Sequence, residues 1–362
     1  MVASSAFAMR APLMRPQLPL QLGGAAATSS LPSPLYPVAQ HARLANRLTH
    51  MMAPWDAPTD WFVYGHLHLI LALPTLTLLS LSPPLQRANP LQKQMSYAFI
   101  VFIVCIGVAQ SFIWDSYGAS MGFWEFNPDK CTTRDDIAIP IEEVLWLFHH
   151  VLKTALYQLK AFELVGVQAD RGVPSPELRA SVSALLVAAC AFGVWALALS
   201  PDDTVKCIGL VCAFFAPVWL IIWQIGSQFV LRHANRITIG WFLPGVTTVL
   251  IDCLGQQQGV WRFPAQYLSG ISEGYLKLDI VLVYMVSTFA VTGTGAIIIA
   301  ATEELINRRD ALGLPPPGPL DVAQYILGSM IGRDLQVADE GSAFEYDSTL
   351  AVGLPPALPQ ES

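Results

Sequence analysis

Charge is what this chain most lacks. Of its 362 residues only 13% are Asp, Glu, Lys or Arg, while 53% are hydrophobic; a soluble domain carries roughly 25% charged residues. That depletion argues against a soluble α/β protein and for one that lives in a bilayer. Basic residues are not in excess either. The formal net charge is −7, carried mostly by loops and the C-terminal segment, and leaves no patch for nucleic acid. Six cysteines (Cys105, Cys131, Cys190, Cys207, Cys212, Cys253) form no CxxC pair. Most sit in or beside apolar runs, where they read as small core hydrophobes. The glycine pair Gly293-Thr-Gly295 lacks a third glycine and falls inside an apolar run, so no dinucleotide cofactor is expected. His66 and His68, taken with the acids, match no closed metal site, and no metal is expected.

The first 55 residues lack Asp and Glu altogether and contain four Arg, with many Ala and Ser. No apolar stretch follows the start as in a secretory signal. An acid-free, Arg- and Ser-bearing leader resembles an organelle transit peptide, and the opening MVASSAFAMRAP leans toward the plastid. The mature chain is expected to start near Met51. A disordered cytosolic tail is the plainer reading of the same residues.

What is abundant is apolar sequence in long runs. A membrane helix needs about 20 residues, and seven runs qualify: about 61–82, 96–114, 139–158, 181–200, 207–230, 237–252 and 279–301. The sixth is short and contains Pro244. The pattern predicts an all-α membrane protein of about seven transmembrane helices in a domain over residues 56–304. Flanking Lys and Arg, nine on one side against five on the other, place the C-terminal side in the stroma or cytosol. Residues 305–362, with Leu314-Pro315-Pro316-Pro317, read as a disordered acidic tail holding one short surface helix near Asp321–Asp334.

Inside the apolar domain one pattern occurs twice. Asp115, Gly122, Trp124, Phe126 and Glu142 are matched by Asp252, Gly259, Trp261, Phe263 and Asp279. The spacings are +7, +9, +11 and +27 in both copies. The repeat predicts two parallel three-helix units (about 60–160 and 204–301) joined by a linking helix, with both motifs at one membrane face. Two separate sites and one composite site both fit that arrangement.

The acids suggest chemistry. Pro140-Ile141-Glu142-Glu143 opens a helix, where Pro suits the first turn and carboxylates meet the positive end of the dipole. Ordinary N-terminal charge placement would explain them. Their apolar surroundings point instead to function, because acids at the rim of an apolar bundle are expensive. Two adjacent carboxylates in such a place do not both ionise cheaply, so one is expected to keep a proton. A protonated acid beside Trp and Phe rings suits protonation of an alkene, with the aromatic faces steadying the carbocation. Glu142, Glu143, Asp115, Asp252 and Asp279 are the candidate catalytic acids. Trp114, Tyr117, Trp124, Phe126, Trp146, Trp261 and Phe263 are the candidate substrate-binding rings. No redox cofactor is required. The second copy has Ile280 where Glu143 stands and Lys277 where Pro140 stands. His149, seven residues after Glu142, shares its helix face and reads either as a proton relay or as a hydrogen-bonded core histidine.

With these residues in view, the chain resembles the integral-membrane lycopene cyclases: the bacterial two-subunit, archaeal fused and fungal bifunctional forms. The resemblance rests on Trp114-Asp115, Gly122-Phe123-Trp124, Pro140-Ile141-Glu142-Glu143, the opening Tyr64-Gly65-His66-Leu67-His68 with Leu73-Pro74, and Ala216-Pro217. It covers about residues 60–300. It implies cyclisation of the ψ-ends of lycopene to β-rings by protonation, ring closure and deprotonation. It also implies a multi-pass plastid membrane setting, lycopene as the bound carotenoid, and other carotenoid-pathway enzymes as neighbours. Carotenoid hydration or terpene cyclisation would use the same acids and rings. A non-catalytic carotenoid-binding role is the reading from a different class.

Overall fold

A computed structural model describes residues 61–81, 89–132, 138–166 and 174–330; the leader and the last 32 residues lie outside them. The architecture is all-α. Seven long helices follow the seven apolar runs: α1 (Tyr64–Ser80), α2 (Pro90–Ser120), α3 (Ile141–Leu164), α4 (Pro176–Leu199), α5 (Asp203–Arg232), α6 (Ala234–Gln257) and α7 (Leu278–Ala311). α2, α4, α5, α6 and α7 are long and apolar enough to cross a membrane. α1 is apolar but has only 17 residues, and α3 is long but carries Glu142, Glu143, Lys153 and Lys160.

Local sequence sets the boundaries. Asn89 caps α2 by accepting from the backbone of Leu91 and Gln92, with Pro90 in the first turn where its missing N–H costs nothing. Ser175 with Pro176 does the same for α4, and Asp202 caps α5. The sixth run, short by hydropathy, extends to a 24-residue helix that keeps Pro244 within it.

The element boundaries of the two three-helix units keep one register along the chain. α2 ends at Ser120 and α6 at Gln257; α3 starts at Ile141 and α7 at Leu278. The same 137-residue offset relates β1 (Glu125–Phe126) to β2 (Trp261–Arg262) at the pair Glu125 and Arg262. The linking helix α4 lies mainly along α5, where Gly193 and Gly209 let the backbones approach; a Cβ on Gly193 would overlap Ala213. The core sits among α2, α3, α5, α6 and α7, around Phe99, Leu159, Phe229, Ile237 and Ile297. Leu69, Leu73, Val101, Phe102, Ile106, Leu185 and Trp195 turn outward, as suits helices whose surroundings are lipid.

The sequence reading ended the transmembrane domain at residue 304 and expected one short surface helix near Asp321–Asp334. α7 continues to Ala311, and a short helix, α8 (Pro319–Met330), docks Val322 and Tyr325 on α5 and α7. Arg309 pairs with Asp321 across that turn, and the Tyr325 hydroxyl donates to Glu304. The helix was expected; its apolar docking on the bundle through Val322 and Tyr325 was not.

Candidate functional site

The two repeat loops meet each other. β1 and β2 pair antiparallel, with Glu125 opposite Arg262 and Phe126 opposite Trp261. Because Glu125 and Arg262 are equivalent positions of the two copies, the pseudo-twofold axis passes between them. Their ion pair, 2.7 Å, marks it. Asn127 extends the ladder through its backbone N–H to Val260 and its amide to Gly259, and Lys130 donates to the Gln258 carbonyl at 2.7 Å. The two copies therefore build one composite site.

The repeated glycines have a physical cause. Gly122 and Gly259 adopt φ of 76° and 62°, a left-handed conformation that penalises any side chain. A further pair, Gly118 and Gly255, lies three residues after each Asp. A Cβ on either would overlap the indole of Trp124 or Trp261. Each tryptophan is thus folded back over the helix turn that carries its aspartate.

Three carboxyl groups gather beneath the paired loops, all buried: Asp115, Glu143 and Asp252. Asp115 and Glu143 are both buried and line the same cavity; two carboxyl groups so placed do not both ionise cheaply. Glu143 also accepts a short hydrogen bond from the Tyr64 hydroxyl. Asp252 is an acceptor three times over, from Gln256 at 2.6 Å, the Trp261 indole at 2.9 Å and the Tyr284 hydroxyl at 3.0 Å. The first copy thus holds two buried carboxyl groups, and the second a carboxyl group held by three donors.

Beside this group lies a cavity of about 430 Å³ lined by Asp115, Glu143, Asp279 and Tyr284 and by six of the seven expected rings: Trp114, Trp124, Phe126, Trp146, Trp261 and Phe263. The rings touch one another, Trp114 on Trp124 with centroids 4.8 Å apart and Trp146 on Trp261 at 5.5 Å. Ile208, Ile271, Leu278 and Leu282 at the margin are exposed. Tyr117 is not among the lining residues; it lies exposed on α2, because it falls two residues past Asp115 on the far face of the helix. Asp252 stands behind Trp261 and Tyr284 rather than against the cavity.

Glu142 and Asp279 do something else. Glu142 accepts from the Thr132 backbone at 3.0 Å and hydroxyl at 2.6 Å. Asp279 accepts from the Ser269 backbone at 3.1 Å and hydroxyl at 2.8 Å. These are equivalent contacts of the two copies: each acid ties the loop before its helix to the helix start. Glu142 lies outside the carboxyl cluster, and Asp279 reaches only the cavity's rim.

His149 faces His68, with their Nδ1 atoms 3.3 Å apart, and does not touch the acids. His150 is a core histidine bonded to Thr248 at 3.0 Å beside Lys153, which reaches Thr248 at 2.7 Å. Burial, reinforced by Glu142 and Glu143, pushes the Cys131 thiol in the β1–α3 loop up to about 12, which favours the neutral thiol. Among the described residues no three His, Cys, Asp or Glu side chains are grouped to hold a metal ion.

Sequence reasoning named Tyr64 only within the opening motif and missed Tyr284, Gly118 and Gly255. The two glycines recur at +3 in both copies and were legible there. The two tyrosines occupy non-equivalent positions, so no repeat exposes them.

Comparison with known proteins bears out the resemblance seen in the motifs. The chain is 25% identical over 208 residues to a bifunctional lycopene cyclase/phytoene synthase of Pyrenophora tritici-repentis, and 26% identical over 207 residues to one of Phaeosphaeria nodorum. Each alignment covers 55% of this chain and 34% of the relative. It is 24% identical over 182 residues to a lycopene beta-cyclase of Halobacterium salinarum, covering 50% of this chain and 74% of that one. The chain thus spans about a third of the length of the fungal relatives it matches. No family model matches the chain, and no solved structure matches it.

Proposed function

We propose that this protein acts in carotenoid biosynthesis as an acid-initiated, redox-neutral lycopene cyclase that converts ψ-ends to β-rings. The observation that carries the reading is the Asp115–Glu143 pair facing an apolar, tryptophan-lined cavity. The likeness to proteins named as lycopene cyclases supports the substrate.

The chemistry closes on itself. Glu143 gives its proton to the terminal double bond of the end group and leaves a tertiary carbocation. A neighbouring double bond attacks that cation and closes a six-membered ring. The ring cation then loses a C–H proton to Asp115, leaving a ring double bond. The pair again holds one proton, the product is an isomer of the substrate, and no oxidant or reductant takes part. The rings of Trp124, Trp146 and Trp261 steady the cation without bonding to it. The apolar walls keep out water that would capture it. Asp252, held by its three donors, contributes fixed negative charge behind Trp261 and Tyr284.

The setting proposed is a multi-pass plastid membrane protein, on the strength of the acid-free leader. A membrane-dissolved substrate would enter past Ile208 and Leu282.

Expression of the full chain in bacteria that accumulate lycopene tests the reading. Conversion of lycopene to cyclic carotenes of unchanged mass is the expected result. Lycopene left intact by membrane-inserted protein would overturn it, and a product heavier by one water would indicate hydration instead.

A further inference from the structure

Tyr64 is fully buried, yet it does not line the cavity and has no tyrosine as its counterpart in the second copy. It comes from α1, the helix outside both acid-bearing pairs. Its ring is held on three sides: stacked on His68 with centroids 5.2 Å apart, tilted against Trp261 at 5.0 Å, and near Trp146 at 6.5 Å. Its backbone N–H is tied to the Lys130 carbonyl at 3.0 Å. So rigid a phenol has one polar contact, its hydroxyl donating to Glu143 Oε2.

We infer that Tyr64 is a positioning residue that selects which oxygen of Glu143 carries the acidic proton, a role that rests on the cyclase reading above. A carboxylic acid has one oxygen that accepts and one that donates. A hydroxyl fixed as donor to Oε2 makes Oε2 the accepting oxygen, so the proton resides on Oε1. Without Tyr64 the carboxyl group loses the donor that distinguishes its two oxygens, and only one arrangement presents its proton productively. The second half of the molecule agrees. At the 137-residue offset Pro201 stands for Tyr64 and Ile280 for Glu143, so the acid and its orienting phenol are absent together. Where the second copy keeps an acid, Asp252, the tyrosine beside it comes from a different position, Tyr284 on α7.

Tyr64→Phe keeps the stacking and removes only the hydroxyl. The full chain, reconstituted in lycopene-bearing vesicles, is compared as wild type, Tyr64→Phe and Glu143→Gln. Turnover, KM and the infrared carboxyl band that disappears in Glu143→Gln are measured. The expected result for Tyr64→Phe is a kcat lower by about 10- to 100-fold, a KM within about twofold of wild type, and a shift of the carboxyl C=O band to higher frequency as its donor is lost. A purely packing role would move none of these per folded molecule. Wild-type kcat and an unmoved band in a folded Tyr64→Phe protein would overturn the inference alone. Absence of cyclic product from the wild type would overturn the cyclase reading and this role with it.

Discussion

The two halves of this bundle share a backbone and divide their chemistry. Both carry Asp, Gly, Gly, Trp and Phe at equal spacing, fold each tryptophan over its aspartate, and tie a loop to a helix start with a terminal acid. Only the first has Glu143. In the second, the position holds Ile280, which is buried against the cavity. On the proposed reading the halves do not form two sites of unequal strength. The first supplies two buried carboxyl groups, and the second one carboxyl group held by three donors. The frame is shared, and a few positions make the two halves unlike.

The largest effect should come from removing the acid. Glu143→Gln is isosteric and is expected to lower cyclisation by about 10²–10⁴-fold, with both rings of the product lost together; the initial rate of cyclic product in membranes measures it. Loss of one ring only would mean that the halves act separately. Next is Asp252→Asn, which leaves donors mispaired in a dry site and should cost about 10- to 100-fold in rate, again equally for both ends. An altered ratio of monocyclic to bicyclic product would break the composite-site reading. Installing the missing acid sharpens the contrast from the other side. Ile280→Glu buries a carboxyl group with no equivalent of Tyr64 to receive it, and should lower stability by about 1–3 kcal/mol without raising the bicyclic yield, as read by thermal unfolding in detergent and product analysis. The smallest effect belongs to Asp279→Asn, which trades one loop-tying acceptor for another. It should cost about 0.5–1 kcal/mol of stability and leave product ratios unchanged.

Much of this was legible before any coordinates. The apolar runs located all seven long helices because lipid demands internally bonded backbone and apolar length. The doubled motif announced the pseudo-twofold and placed both loops at one face. Six of seven expected rings line the cavity, four from the paired loops and two, Trp114 and Trp146, from the helices that flank them. Three things were hidden. The adjacency of Glu142 and Glu143 made them look like one unit, whereas consecutive helical positions point about 100° apart, one toward Thr132 and the other into the bundle. Tyr64 and Tyr284 act across 79 and 32 residues of chain, contacts that no local pattern encodes. The docking of α8 depends on two side chains, Val322 and Tyr325, too few to register in composition.

Those two neighbouring glutamates offer the most direct test. Glu142→Gln and Glu143→Gln, expressed at matched levels in lycopene-accumulating cells, differ by one position in one helical turn. The expected result is cyclic carotene from the Glu142→Gln protein at close to the wild-type rate and unreacted lycopene from the Glu143→Gln protein. Equal loss in both, or cyclisation persisting without Glu143, would contradict the assignment of the Asp115–Glu143 pair as the acid of a single composite site.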